Sequence, residues 1–220
     1  MKSDIQLVSY KICPYVQRVR FALEEVGIPY SIRFINPYEP KLEWFLSLSE
    51  SGKVPVLLVD DRVIIDSATI LDFINDYSGN VLWPKNLDSS AKSRLLIGRI
   101  EDYHTILRLV YTVNEVAEYA AAISGFKHEM IRLEQTLNNS CLDLGSINML
   151  TFYYAPLFKL ADIVGGLIGE DLIGRSGKLA LWKDAIISCD SFVKAMEDDY
   201  IPELMVFFKA KQSVLSEIYL

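Results

Sequence analysis

The first third of the chain alternates short apolar runs with stretches of helical spacing. Four runs of β-branched and other apolar residues predict strands at Ile5–Ser9, 30–35, Val56–Val59 and 63–65. Apolar residues repeated every three or four positions predict helices at 14–26 and 41–48, and Ser67 is expected to cap a further helix that runs through Tyr77. The predicted order is βαβ, a short helix and then ββα, which favours a mixed sheet with helices packed on it.

The pattern changes after Ser78. Residues 79–88 are rich in Gly, Asn, Asp and Ser around Trp83-Pro84, and we expect a linker there. Helical spacing dominates beyond it and predicts helices at about 91–123, 126–138, 147–165, 177–189 and 191–199. We therefore expect an α/β domain over 1–78, the linker over 79–88 and an all-helical domain over 89–220.

Composition and charge narrow the class of protein. The 220 residues are 51% hydrophobic and carry a net charge of −7, which predicts a globular chain with a sizeable core. Neither the first 78 residues nor the remainder is basic. Binding to a phosphate backbone needs such a basic surface, so we expect no nucleic-acid partner.

The most apolar stretch, residues 147–169, has nearly the length of a membrane span. A span needs about 20 predominantly apolar residues, and here Pro156, Lys159 and Asp162 interrupt the run. A buried helix is the better interpretation, and we expect no membrane partner.

The three cysteines are odd in number and far apart in the sequence, at positions 13, 141 and 189. They form no disulfide framework and no zinc-ligand spacing, so we expect no metal. The first ten residues lack the apolar run of a signal peptide. A reducing compartment, the cytoplasm, is the expected location.

Cys13 lies between a predicted strand and a predicted helix. Pro14 follows it, and proline is favoured at the first helical position, which makes Cys13 the expected N-cap. Backbone N–H groups and the positive end of the helix dipole stabilise a thiolate there, and such cysteines have pKa values of roughly 3.5–7.5. The alternative is a small buried structural cysteine, which is our expectation for Cys141 and Cys189.

Val16 occupies the position at which a second cysteine would resolve a dithiol mechanism. Without a neighbouring thiol, a cysteine that has formed a disulfide must pass it to a thiol from solution. This predicts a monothiol route with a small thiol such as glutathione as co-substrate.

Three segments carry a resemblance to a known family: Cys13-Pro14-Tyr15-Val16-Gln17-Arg18-Val19-Arg20, Gly52-Lys53-Val54-Pro55-Val56-Leu57 and Ile65-Asp66-Ser67. They are similar to the active-site segment, the cis-proline segment and the acid-serine pair of omega-class glutathione transferases and related bacterial proteins. Order and spacing also agree, so the chain resembles the cysteine-type, omega-like class of the cytosolic glutathione transferase superfamily. The resemblance implies a thioredoxin-like first domain, an all-α second domain, catalysis by Cys13 and a homodimer.

The resemblance also implies a glutathione site built from Lys53, Val54, Pro55, Asp66 and Ser67. A cis bond before Pro55 would leave the backbone of Val54 free to pair with the cysteinyl part of glutathione. Asp66 would accept from the ligand ammonium, Ser67 would bind one carboxylate and Lys53 the glycyl carboxylate. The alternatives are a turn aspartate, a serine helix cap, a solvated lysine and a trans turn proline.

The second domain matches the family less well. Ala155-Pro156 agrees with the family pattern, but the usual Ser/Thr-x-x-Asp capping box is replaced by Asn148 and Thr151. Asn148 is a good N-cap, whereas Thr151 offers a hydroxyl in place of a carboxylate. This puts the stability of that helix in question.

Three functions fit these observations. The first is a glutathione-dependent thiol transferase of the dehydroascorbate-reductase type, acting on a small electrophilic or disulfide substrate. The second is a non-enzymatic regulatory or binding protein with the same fold, and the third is conventional conjugation of glutathione to electrophiles. The second substrate would bind near Tyr103, Leu107 and Tyr111, which share a helix face, although such stripes more often belong to a core.

Overall fold

The computed structural model describes residues 4–140, 142 and 144–220. Cys141 falls outside these residues, so its predicted structural role stays a prediction. The chain forms two compact units. The first comprises the residues up to Trp83 together with Asp190–Tyr200, and the second comprises Pro84–Cys189 and Ile201–Leu220.

Four strands precede most of the helices. The elements are β1 (Ile5–Ser9), α1 (Pro14–Glu25), β2 (Ser31–Phe34), α2 (Glu43–Leu48), β3 (Val56–Val59), β4 (Arg62–Ile65), α3 (Ser67–Tyr77), α4 (Leu87–Ile97), α5 (Ile100–Val110), α6 (Val116–Asn138), α7 (Met149–Ile168), α8 (Lys178–Ile187), α9 (Asp190–Ala195), α10 (Tyr200–Ala210) and α11 (Val214–Tyr219). The sheet order is β2-β1-β3-β4, with β1 parallel to β2 and the other two pairs antiparallel. This confirms the predicted fold class, a thioredoxin-like α/β region followed by an all-helical region.

One predicted helix, 91–123, is wrong as a single element. The chain leaves the helix at 98–99 and again at 111–115, so that α4, α5 and the start of α6 take its place. At the second break the N–H of Val214 donates to the carbonyl of Val113 at 3.0 Å. Apolar spacing runs on through both breaks, and the sequence pattern therefore does not reveal them.

The core of the first unit lies on both faces of its sheet. Val8, Phe45 and Val56 are fully buried together, and Trp44 and Val54 pack against them. Fully buried apolar residues of α1 pack in the same unit. Burial of each such side chain contributes about 1.5–3 kcal/mol, which fixes the strand ends that carry the three motifs.

Residues 190–200 belong to the first unit, although they come more than a hundred residues after its sheet. Phe192 packs edge-on against Phe21 of α1, with ring centres 5.2 Å apart. Arg20 of α1 forms an ion pair with Glu197, and Lys11 forms one with Asp199. The sequence pattern gives no sign of this attachment, and the predicted boundaries 1–78, 79–88 and 89–220 stay a prediction.

The altered capping box of α7 is complete. The N–H of Leu150 donates to the side chain of Asn148 at 3.0 Å, and the N–H of Asn148 donates to the hydroxyl of Thr151 at 2.9 Å. The Thr151 hydroxyl in turn donates to the carbonyl of Asn148 at 2.6 Å. The start of α7 is therefore capped, because the buried hydroxyl of Thr151 takes the place of the usual carboxylate.

We expect Thr151→Val to lower the melting temperature by about 2–4 °C, because it removes both hydroxyl bonds and leaves a buried N–H without its partner, at a cost of about 1 kcal/mol. Calorimetric melting measures the change. Thr136→Val in α6 is the matched control, since its exposed hydroxyl only donates back to the carbonyl of Arg132. Equal melting temperatures for the two variants would contradict the prediction.

None of the helices in the described ranges is both long and apolar enough to cross a membrane.

Candidate active site

The three motifs lie at one end of the sheet. The register pairs Val8 of β1 with Val56 of β3, and Val56 with Ile65 of β4. Neighbouring strands are about 4.8 Å apart, so Val8 and Ile65 are separated by about 10 Å. The cysteine loop follows β1, the proline segment precedes β3 and the acid-serine pair follows β4. All three therefore extend from the same edge of the first unit.

Cys13 is the N-cap of α1, as predicted. Its backbone is extended, with φ −77° and ψ 117°, and Pro14 is the first residue of the helix. The Cys13 carbonyl accepts from the N–H groups of Val16 and Gln17, each at 3.1 Å, while its own N–H donates to the carbonyl of Tyr10 at 3.3 Å. These bonds hold the cysteine at the start of the helix.

The electrostatics of Cys13 differ from the expectation. Burial of the thiol raises its pKa, and this outweighs the N–H groups of Val16 and Tyr15 and the charge of Arg18, which all lower it. The residue as a whole is still partly exposed. The stabilisation expected from the helix start is thus present, but the expected net lowering of the pKa is wrong, because desolvation disfavours the thiolate more strongly.

A raised pKa makes the alkylation of Cys13 depend steeply on pH. Only the thiolate reacts, so the rate constant with iodoacetamide should still be rising at pH values where a free thiol such as N-acetylcysteine has reached its plateau. Arg18→Met should move the midpoint higher, because it removes a charge that favours the thiolate. Peptide mass spectrometry follows the reaction. A midpoint below that of N-acetylcysteine would contradict the assignment of burial as the dominant effect.

The peptide bond between Val54 and Pro55 is cis, as predicted. Pro55 is buried and Val54 half-buried. Within the described residues the backbone of Val54 forms no backbone hydrogen bond, since pairing of β3 begins at Val56. The main chain of Val54 therefore suits pairing with an extended peptide.

Ser49 anchors the loop that leads to this bond. Its buried hydroxyl donates to the carbonyl of Lys53 at 3.1 Å and accepts from the N–H of Lys53 at 3.2 Å. Gly52, between them, has a φ of +58°, a conformation that favours glycine. The sequence does not reveal the role of Ser49, because a single serine four residues before a lysine carries no recognisable signal.

Asp66, and not Ser67, is the N-cap of α3. Asp66 Oδ1 accepts from the N–H groups of Ala68 at 3.0 Å and Thr69 at 3.1 Å. Ser67 is buried as the first helical residue. Asp66 has a φ of +72°, which is costly for a residue with a Cβ and is found preferentially at functional sites. The expectation of a Ser67 cap is therefore wrong, since the aspartate one residue earlier reaches the free N–H groups.

Lys53 and Asp66 are both exposed, and in the parts of the chain that the structure describes neither forms an ion pair. Asp66 Oδ2 accepts no hydrogen bond from these residues, so one carboxylate oxygen remains for a ligand. A zwitterion with an ammonium at one end and a carboxylate at the other matches this pair of charges. The donor set fits glutathione.

The helix stripe considered for the second substrate is mostly core. Tyr103 and Leu107 are buried, and Tyr103 lies 6.2 Å from Tyr154 between ring centres. Tyr111 is half-buried against Phe208, with ring centres 5.0 Å apart. The core interpretation therefore holds for Tyr103 and Leu107.

Two cavities of the structure lie away from the predicted site residues. A cavity of about 410 Å³ adjoins Tyr30 in the first unit, and one of about 630 Å³ adjoins Asn114 and Leu220 in the second. Neither is lined by a predicted site residue. Within residues 4–140, 142 and 144–220, no three His, Cys, Asp or Glu side chains are grouped as a metal site would require.

Comparison with known proteins supplies independent information. Residues 12–76 match the model of the glutathione S-transferase N-terminal domain. The stringent starvation protein A homolog of Haemophilus ducreyi is 27% identical over 89% of this chain and 91% of that protein. Glutathione S-transferase DHAR2 of Arabidopsis thaliana is 41% identical over 64 residues, 29% of this chain and 30% of that protein.

Two omega-class proteins match most of the chain. Glutathione S-transferase omega-1 of Sus scrofa is 26% identical over 87% of this chain and 80% of that protein. The crystal structure of glutathione transferase Omega 3C from Trametes versicolor has a TM-score of 0.77 at 22% identity, and the match covers 89% of this chain and 90% of that one. Residues 12–76 therefore belong to the glutathione S-transferase N-terminal domain family, and the chain as a whole is similar to omega-class glutathione transferases.

Proposed function

We propose that the protein is a glutathione-dependent thiol transferase or reductase in which Cys13 forms a mixed disulfide with glutathione. One observation carries the proposal. The N-cap cysteine of α1 lies at the sheet end that also carries Val54, whose backbone lacks a main-chain partner in the described residues, and the exposed carboxylate of Asp66. A nucleophile and the donors for a small peptide thiol are thus supplied by one unit.

The residues suggest how glutathione is held. Backbone pairing with Val54 orients the cysteinyl part so that its sulfur lies toward Cys13. Asp66 Oδ2 accepts from the ligand ammonium, Ser67 and its N–H bind the adjacent carboxylate, and Lys53 binds the glycyl carboxylate. Pro55 fixes the direction of the chain at this point through its cis bond.

The reaction is a pair of disulfide exchanges. The Cys13 thiolate attacks the glutathione sulfur of a mixed disulfide, so that the Cys13–glutathione bond forms as the old S–S bond breaks. The substrate leaves as a thiolate and takes a proton from solvent. A second glutathione thiolate then attacks the glutathione sulfur of the adduct, which releases oxidised glutathione and regenerates the Cys13 thiolate. The substrate thiol is reduced and glutathione is oxidised.

Cys13 need not have a lowered pKa for this reaction. Thiolates of higher pKa are intrinsically more nucleophilic, with a Brønsted slope of about 0.4–0.5. The N–H groups of the first turn and the charge of Arg18 stabilise the thiolate that departs in the second step. The raised pKa lowers the reactive fraction at neutral pH and increases the reactivity of that fraction.

A binding protein without catalysis is the second candidate. The raised pKa of the Cys13 thiol favours it, because a smaller thiolate fraction suits a scaffold that performs no thiol chemistry. Two similar proteins bear the name stringent starvation protein A homolog and no transferase name, at 27% and 28% identity. Conventional conjugation ranks third, because a cysteine beside bound glutathione forms a disulfide with it instead of stabilising its thiolate.

Three parallel assays separate these functions. Purified protein is incubated with glutathione and a small disulfide, with glutathione and dehydroascorbate, and with glutathione and the electrophile 1-chloro-2,4-dinitrobenzene. Turnover in either of the first two assays supports the thiol transferase. Turnover only with the electrophile supports conjugation, and glutathione binding without turnover supports the binding protein.

Quaternary structure and location follow the resemblance. We propose a homodimer, the arrangement implied by the family resemblance, and a cytoplasmic location in keeping with the use of free thiols.

A further inference from the structure

The side chain of Gln17 is buried without a hydrogen-bond partner. Gln17 is only 2% exposed, and neither its amide nitrogen nor its amide oxygen has a partner among the described residues. An unpaired buried amide costs about 1–3 kcal/mol. Native proteins satisfy the large majority of such groups. A polar group retained at this cost points to a ligand that completes its bonds.

Gln17 lies one turn of α1 beyond the reactive cysteine. Residues four apart in a helix share a face, so Gln17 and Cys13 occupy the same side of the first turn. The Cys13 carbonyl accepts from the Gln17 N–H at 3.1 Å. The amide of Gln17 is therefore a close polar neighbour of the thiol.

Tyr200 completes a cluster with these two residues. Tyr200 is 3% exposed, and burial is the main reason that its pKa rises to about 12, while Gln17 lowers it and the charge on Cys13 raises it. The preceding turn is held against α1 and its loop by the Arg20–Glu197 and Lys11–Asp199 ion pairs. These contacts hold the Tyr200 phenol beside the Gln17 amide. The distance and angle between the two groups do not meet those of a hydrogen bond.

We propose that Gln17 and Tyr200 bind an uncharged amide group of the second substrate next to the sulfur of Cys13. This assignment rests on the proposed thiol-transfer function. Gln17 has both an unpaired donor and an unpaired acceptor, so the complementary group must present an acceptor and a donor together. A carboxamide does so, because its C=O accepts from Nε2 and its N–H donates to Oε1. A ketone or a thioether would leave one Gln17 atom unpaired.

Two unreactive glutathione thioethers of similar shape test the proposal. S-carbamoylmethylglutathione carries the amide on the sulfur, and S-(2-methylpropyl)glutathione carries a branched alkyl group of similar size. Titration calorimetry on the whole protein gives the ratio of their dissociation constants. We expect the amide analogue to bind more tightly to the wild type. Gln17→Leu and Tyr200→Phe should each lower that preference about fivefold to tenfold, the effect of losing a hydrogen bond.

A matched control separates a local role from general damage. Tyr30→Phe removes a half-buried phenol from the same unit, whose hydroxyl donates to Glu24 at 2.9 Å, and should leave the preference unchanged. Gln17→Leu should not lower the melting temperature of the free protein, because it removes an unpaired amide. If Gln17 only stabilised the fold, Gln17→Leu would instead lower the melting temperature.

The outcomes distinguish this inference from the proposed function. Equal affinity of the wild type for both analogues, or an unchanged preference in both variants, overturns the amide site alone. An equal loss of affinity for both analogues in Gln17→Leu assigns the residue to glutathione itself and also overturns it. Failure of both analogues to bind the wild type overturns the glutathione site, and the inference falls with it.

Discussion

Replacement of Cys13 by serine should abolish disulfide exchange and leave glutathione binding intact. The exchange needs an ionised nucleophile, and a serine hydroxyl is not ionised near neutral pH, so we expect a loss on the order of 10³-fold or more. The backbone geometry at the start of α1 tolerates serine, which is itself a preferred N-cap. Initial rates with glutathione and a mixed disulfide measure the loss, and calorimetry with glutathione measures binding.

Mass spectrometry provides the control for this variant. After brief exposure of the wild type to oxidised glutathione, one glutathione should be found on the peptide that contains Cys13. It should persist there, because Val16 leaves no second thiol in the motif to displace it. Cys189→Ser is the matched substitution, since Cys189 is also a partly exposed free cysteine, and should keep full activity. First labelling at Cys189 or Cys141, or an active Cys13→Ser protein, would refute the mechanism and favour the binding-protein alternative.

Asp66→Asn should weaken glutathione binding about tenfold while the fold stays intact. The substitution removes the charge that accepts from the ligand ammonium, and hydrogen bonds to charged groups contribute roughly 1.5–3 kcal/mol. Asparagine caps helices as well as aspartate does and tolerates the positive φ of +72° at this position. Titration calorimetry and thermal melting on the same sample separate the two effects.

Asp66→Ala should show the same loss of affinity together with a lower melting temperature. Alanine cannot accept from the N–H groups of Ala68 and Thr69, and losing an N-cap costs about 1 kcal/mol, which corresponds to about 2–4 °C here. Asp61→Asn, in the exposed hairpin turn, changes the net charge equally and should alter neither quantity. Unchanged affinity in Asp66→Asn would remove Asp66 from the glutathione site.

Local sequence signals predicted much of the first unit. The apolar runs of β1 and β3 have the predicted bounds, and α3 ends at Tyr77 as predicted, because strands buried in a sheet need runs of mostly apolar residues and a surface helix needs a 3.6-residue period. The start of α1 followed from Pro14, whose ring suits the first helical position. Such features depend on neighbours within a few residues.

Two local predictions failed, one through competition between neighbouring residues and one through burial. Ser67 and Asp66 are both good N-caps, and the sequence could not show that the backbone turn at Asp66 brings its carboxylate to the free N–H groups. Cys13 lies at a helix start that stabilises the thiolate, but how deeply the thiol is buried depends on what packs over it. The direction of the Cys13 pKa shift therefore depends on tertiary packing.

The sequence by itself determined the order of elements in the first unit, the cysteine at the start of α1, the cis-proline motif and the acid-serine pair. Only the tertiary structure decided that residues 190–200 join this unit and that Tyr200 lies beside the thiol and the unpaired amide of Gln17. The physical reason is the range of the interactions. Caps and periodicity act over three or four residues, whereas the Arg20–Glu197 and Lys11–Asp199 pairs join residues 177 and 188 positions apart and depend on the folded path of the whole chain.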